Sequence, residues 1–414
     1  MKGRVFTQTR TKTFSRGLKR FAIVILGMSM LACRIAIQGI QPPVPTQPTP
    51  TNTPVVTRTY TPTPTRTPTV TPLPTFTSTP TATPTPILFV GQDTPLPDDL
   101  RAIRLENAGR VSALAEWSEP SVSDLAWTPD EQLLAVATTN LINLYQVETR
   151  TVLRSLYPTK EGIVDIAFSP GGTWLVVGSR QGDDKTGYAS SLDLWSGPNW
   201  KPLGLIYGVA TGLNSMTFSP DGTFLAVAFA NPTYNSSYVE IWQTFSWTIN
   251  TTLKTEMIMN LAFSPDSELL AASPDRYAIR VWDLKEQELL HREPTSFTGA
   301  VNALAFSPDS EVLASGHYDG MIRLWNARTS ELLLEFDTGA VVQSLAFSPD
   351  GRIIASGGSF ENSTVQLWSS GTGARLRALE NQSGGISSLT FSPDSQYLVS
   401  ASYDGLIRLW GIRP

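Results

Sequence analysis

The chain has 414 residues, room for two or three ordinary domains or one large repeat array, and only 16% of them are charged. The formal net charge of −5 conceals a division: residues 1–92 hold ten Lys or Arg and no Asp or Glu, while the remainder holds 21 basic and 36 acidic residues and stands at −15. Such an acidic body is a poor match for nucleic acid, whose binding rests on cationic side chains that neutralise phosphates, and a single cysteine, Cys33, excludes an intrachain disulfide.

Residues 1–40 read as an address. Lys2, Arg4, Arg10, Lys12, Arg16, Lys19 and Arg20 precede "FAIVILGMSMLAC", an uncharged run over 21–33. A basic region followed by about a dozen apolar residues is the pattern of a secretory signal, and the run is short of the roughly 20 residues a membrane-spanning helix needs. The basic flank stays on the cytoplasmic side, so the body is expected outside the cytoplasm. The end of the run, "MLAC", resembles the lipobox of bacterial lipoproteins, which implies lipidation at Cys33 and a membrane tether. Met30 and Leu31 depart from that pattern, and so does Arg34 directly after the cysteine. An uncleaved anchor that continues through "RIAIQGI" and ordinary cleavage with release remain alternatives.

Residues 41–92 form a spacer. Fourteen of the 46 residues in 41–86 are proline, interleaved with threonine. Proline fixes φ and lacks an N–H, so neither helix nor sheet ladder is expected there. An extended, polyproline-like stretch at about 3.1 Å per residue would reach on the order of 140 Å, either as a stalk or as a disordered linker.

Residues 93–414 carry a repeat. An apolar pair, an aromatic residue, Ser-Pro or Thr-Pro and usually Asp recur as "LAWTPD", "IAFSPG", "MTFSPD", "LAFSPD" three times and "LTFSPD". The aromatic residues are Trp127, Phe168, Phe218, Phe263, Phe306, Phe347 and Phe391, spaced by 41, 50, 45, 43, 41 and 44. That period fits a four-stranded blade rather than an ankyrin or leucine-rich repeat. Within 302–336, "NALAF" alternates as a half-buried strand, "SPDS" is a tight turn, "EVLASG" is a second strand and "YDG" a second turn. "MIRLW" is a third strand and "ELLLEF" a fourth.

The seven copies resemble the WD-repeat family over about residues 103–414. The resemblance implies an all-β, seven-bladed β-propeller of four-stranded antiparallel blades. Trp195, Trp242, Trp282, Trp325, Trp368 and Trp410 are its third-strand tryptophans, with Tyr145 in the first repeat. Asp319 and Asp404 are its turn aspartates, with Asp275 a further candidate. No Gly-His pair stands before any "SPD" aromatic, so the buried His–Asp hydrogen-bond network of many such repeats is expected to be absent.

The last unit has three strands and no fourth, whereas "RVSALAEW" before the first complete unit looks like an orphan fourth strand. Pairing 110–116 with 406–410 would close one blade and remove two exposed sheet edges. "IRLEN", 103–107, resembles a third strand and leaves one strand too many.

In this family the second-to-third strand turns share a face with the fourth-to-first connections. Three such turns are expanded: 180–190, 230–238 and 359–364. The first two should adjoin and place Asp183, Asp184, Lys185, Tyr188, Tyr234, Asn235 and Tyr238 on one rim, a candidate binding patch because tyrosine is enriched at interfaces. Loops that tolerate insertion are the plain alternative. Tyr318 and Tyr403 read as rim packing.

No catalytic set, metal site or cofactor is expected. Two histidines cannot make a His-rich site, and the acidic pairs at 98–99 and 183–184 lack calcium-loop spacing. The expected function is a non-catalytic, exported, membrane-tethered monomer that binds a protein partner by one face. A carbohydrate or envelope-polymer binder is the alternative, favoured if Trp200 and Trp247 line a shallow groove. An enzyme is a further one, favoured by perturbed carboxylates at the central channel.

Overall fold

The computed structural model describes Leu96 and most of residues 99–414; residues 1–95, 97–98, 131, 184–186, 198, 210–211, 232–235, 256–257, 275–277, 287, 295–299 and 380–383 lie outside the described residues. The described chain forms seven antiparallel four-stranded sheets arranged in a ring. Within each sheet the strands are lettered a to d from the central channel outward. Blade 1 comprises Asp124–Trp127, Leu133–Ala137, Ile142–Gln146 and Thr151–Leu156. Blades 2 to 6 occupy 163–209, 212–255, 258–294, 301–337 and 342–379. The first strands of successive blades contact one another around the axis.

The repeated residues explain the repeated unit. In the turn between strands a and b, the serine of the "SPD" motif donates to the aspartate two residues on, as Ser348 does to Asp350 at 2.6 Å. The same hydroxyl accepts the N–H of the residue that begins strand b, Ile353, at 3.0 Å. The third-strand tryptophans, all more than nine-tenths buried, fill the space between neighbouring blades, as the large apolar area of indole favours. In blades 5, 6 and 7 their indole N–H donates to a strand-b serine, Ser315, Ser356 and Ser400, each at 2.8 Å. In blade 3 Trp242 donates instead to Glu240 at 3.1 Å.

Blade 5 has a histidine contact of a different kind from the His–Asp network named above. His317 is fully buried at the end of strand b, and its Nε2 lies 2.8 Å from Ser315 Oγ. Ser315 therefore joins Trp325 to His317. Replacing Ser315 with Ala should cost about 1–3 kcal/mol, because it removes a hydrogen-bond partner shared by two buried polar groups; chemical denaturation measures it.

Blade 7 is closed from both ends of the described chain. Its strands a to c are Ile386–Phe391, Leu398–Ser402 and Leu406–Gly411, and its outermost strand is Ser112–Ser118. The register runs from Ser112 opposite Gly411 to Ser118 opposite Leu406. In blades 1 to 6 the c–d pairing shifts register at the aromatic residue, for instance between Leu324 and Trp325. The N-terminal strand shows the same irregularity, skipping Leu114 opposite Leu409 and Trp410. The orphan strand thus has the geometry of a true fourth strand. An ion pair between Arg408 and Glu116, 2.5 Å apart, adds a cross-strand contact at a buried site.

Residues 103–107 form no strand. Asn107 Oδ1 accepts the Arg104 N–H at 2.7 Å and its amide donates to the Ala102 carbonyl at 3.0 Å, which bends the chain into a turn before a short 3₁₀ segment at Ala108–Arg110. The segment is still part of the core. Ile103 is fully buried and its N–H bonds to the Ser395 carbonyl at 2.7 Å, while Arg101 bridges to Ile412.

Candidate functional site

The b–c turns and the d–a connections lie together at one end of the ring, which gives this face its side chains. Two of the three expanded turns are lengthened hairpins rather than loose loops. In blade 2 the strands run Trp174–Asp183 and Gly187–Ser196, and in blade 3 Phe224–Asn231 and Ser236–Gln243. Asp183 and Tyr188 occupy these strands, Tyr188 opposite Gly182, but their side chains lie outside the described residues. Asp184, Lys185, Tyr234, Asn235 and Cys33 lie wholly outside them. Tyr238 is half-buried and packs on Phe229 with ring centroids 5.4 Å apart.

Asp319 accepts Arg323 through two contacts, 3.0 and 3.4 Å, and Arg323 also reaches Glu335 at 3.2 Å. Asp404 accepts the hydroxyl of Ser402 and the N–H of Leu406. Both therefore shape their turns. Tyr318 is largely exposed, while Tyr403, about half exposed, packs on Phe360 at the rim as expected.

The tryptophans offered as groove residues are packing groups. Both adopt a left-handed backbone, φ 44° at Trp200 and 53° at Trp247. Trp200 is buried edge-on against Phe168, with centroids 5.0 Å apart, and Trp247, half-buried, packs edge-on against Trp174 at 5.9 Å. Trp200 nonetheless lines an open cavity with Thr128, Pro129, Pro170 and Gly197.

Sequence reasoning missed a pair of carboxyls in the channel. Strand a places Asp124, Asp165, Ser215, Asn260, Ala303, Ser344 and Ser388 at one equivalent position around the axis. Asp124 Oδ2 accepts the Ile166 N–H of the next blade at 3.2 Å, Asp165 Oδ2 accepts Met216 N–H at 2.7 Å, and Ser215 Oγ accepts Leu261 N–H at 3.3 Å. Ser388 donates to Asp124 Oδ1 at 3.1 Å. A continuous chain of contacts thus crosses blades 7, 1, 2, 3 and 4. Burial pushes the Asp124 carboxyl up, and burial with the charge of Asp124 pushes Asp165 well above the usual carboxylate range. Burial thus disfavours two full charges side by side at these adjoining carboxyls. The signal in the sequence was two acids at matched positions of adjacent repeats, "SDLAW" and "VDIAF".

This pair is the feature that would have favoured an enzyme, but its oxygens are engaged by main-chain N–H groups, a hydroxyl and each other. Such an arrangement ties blades together. Among the described residues no group of three or more His, Cys, Asp or Glu could hold a metal ion.

Residues 121–411 match the family model described as the IFT122 first β-propeller. A stretch of 55 residues is 44% identical to periodic tryptophan protein 2 of Saccharomyces cerevisiae and 40% identical to its Neurospora crassa homologue. Each match covers 13% of this chain and 6% of the relative, so the chain spans a small fraction of those proteins.

Proposed function

The chain belongs to the IFT122 first β-propeller family, a WD-repeat-type propeller family, and from that premise we propose that it is a non-catalytic, monomeric scaffold, exported and tethered to the membrane by its N-terminus. The observation that carries the scaffold reading is the closed ring itself. Its blades are fixed by repeated buried contacts, and its turn face is free to vary, which is how a rigid frame presents a protein-binding surface. The partner is a protein met by that face, and the lengthened hairpins of blades 2 and 3, with Asp183, Asp184, Lys185, Tyr188, Tyr234, Asn235 and Tyr238, are one place for it.

Export and tethering are supported by the basic region, the apolar run and Cys33. Among the described residues no helix is long and apolar enough to cross a membrane. Labelling cells with an alkyne fatty acid and fractionating them tests this part. The wild-type chain should be labelled and sediment with membranes, and Cys33→Ala should lose the label. An unlabelled wild-type chain that still sediments would indicate an uncleaved anchor. Recovery in the cytosol would defeat export. In-cell crosslinking of the full chain tests the scaffold part, with a defined crosslinked protein as the expected result.

A further inference from the structure

The turn face of blades 5, 6 and 7 carries a pattern of exposed rings beside acids, of which Asp319 and Asp404 also shape their own turns. Three consecutive b–c turns each present an exposed aromatic residue followed directly by an acid: Tyr318-Asp319, Phe360-Glu361 and Tyr403-Asp404. These residues are 63%, 67% and 49% exposed, in a body where most aromatic residues are packed between blades. Phe360 and Tyr403 stack across the blade boundary, centroids 5.4 Å apart and planes 18° from parallel. Gly385, in the connection between them, makes room for this. A Cβ there would lie 3.0 Å from the Phe360 nitrogen and 3.2 Å from its ring.

The three turns are held, not floppy. The N–H groups of Tyr318, Ser359 and Tyr403 bond to the carbonyls of Ala300, Val341 and Gly385 in the neighbouring d–a connections, at 2.8, 3.1 and 3.0 Å. A fixed apolar patch loses little conformational entropy when it is covered.

The charge around the patch is of one sign. Among the described residues, the b–c turns and d–a connections of blades 5 to 7 carry Asp319, Glu361, Asp404 and Glu119, with Asp337 at the end of strand d, and no Lys or Arg. Arg323 and Arg408, at equivalent positions of strand c in blades 5 and 7, are buried and paired, Arg323 with Asp319 and Glu335 and Arg408 with Glu116. A neutral sugar gains nothing from this field, and an anionic polymer is repelled by it. A cationic chain with apolar side chains satisfies both features, since its ammonium groups meet the carboxylates and its apolar side chains meet the rings.

We propose that Tyr318, Phe360 and Tyr403 with their flanking acids form a docking surface for a basic, extended peptide segment of a partner protein. This rests on the scaffold reading above and names the chemistry of the partner.

The test uses the full-length chain and a fluorescent 14-residue peptide of alternating Lys and Leu, with a Glu/Leu peptide and a neutral oligosaccharide as comparison probes, read by fluorescence polarisation. The Lys/Leu peptide should bind and the other two should not. The triple change Tyr318→Ala, Phe360→Ala, Tyr403→Ala leaves the charge untouched and should weaken binding at least tenfold. Glu361→Lys should weaken it as well, which covers the case in which the triple variant folds poorly. Unchanged binding to a folded triple variant would mean unspecific attraction to an acidic body and would overturn the proposal. So would binding of the oligosaccharide that the same variant loses. If the peptide fails while in-cell crosslinking still yields a partner, the scaffold reading stands and the surface lies elsewhere.

Discussion

Leu114→Ala lowers the stability of the ring by about 3–5 kcal/mol, whereas Leu153→Ala and Leu333→Ala each change it by less than about 0.5 kcal/mol. The three leucines hold one structural position, the residue skipped by the register shift of the c–d pairing, in blades 7, 1 and 5. Leu153 and Leu333 are 65% and 49% exposed on outer strands, while Leu114 is fully buried. The difference is what lies outside the strand. In blade 7 Leu96 and Leu100 belong to the same buried cluster as Leu114, with Trp117, Ile407 and Leu409. The chain that enters the ring thus covers the strand that closes it. Truncating Leu114 leaves a cavity between this cover and blade 7, at the place where the two ends of the ring are joined. The cost falls on closure itself. The expected signature is a melting temperature lower by on the order of 10 °C in one cooperative transition. A change at Leu114 no larger than at Leu153 would mean that the entering segment does not seal the blade.

How much of this was legible depends on whether the physical cause is local. The seven turns, the tryptophans and the closing strand could be read because each is a short pattern that carries its own reason: a hydroxyl for the turn, a large ring for the gap, an unpaired edge for the orphan strand. "IRLEN" misled because it keeps the apolar alternation of "IRLWN" and lacks the tryptophan, so nothing fixes it between blades and Asn107 is free to bend the chain. Trp200 and Trp247 could have been surface platforms. Only the left-handed turn that points each back at a neighbouring ring shows them as wedges. Tyr318 went the other way: its sequence neighbours do not show that its ring is left exposed, which is decided by what stands across the blade boundary. The same holds for the channel pair. Asp124 and Asp165 are 41 residues apart in a chain where the meeting of equivalent positions is made by the closure of the ring.

That pair sets the second large effect. Asp165→Asn should stabilise the propeller by about 1–3 kcal/mol at pH 8, with the gain shrinking towards pH 4. Asp165 has its proton affinity raised in the folded state by burial and by the neighbouring charge of Asp124. Below the ordinary carboxylate pKa near 3.8 both folded and unfolded chains keep the proton, and the site costs nothing. As the pH rises, the unfolded chain releases the proton freely while the folded chain must hold it or face two anions in the channel wall. Stability therefore falls with rising pH until the folded-state value is passed. An asparagine removes that dependence and keeps the geometry: its oxygen can accept the Met216 N–H, and its amide can donate to Asp124 as a protonated carboxyl would. Denaturation series from pH 4 to pH 8 on both chains measure the effect. A variant less stable than wild type at pH 8, or a difference that stays constant across the range, would show that the pair does not share a proton and that Asp165 is held as an anion.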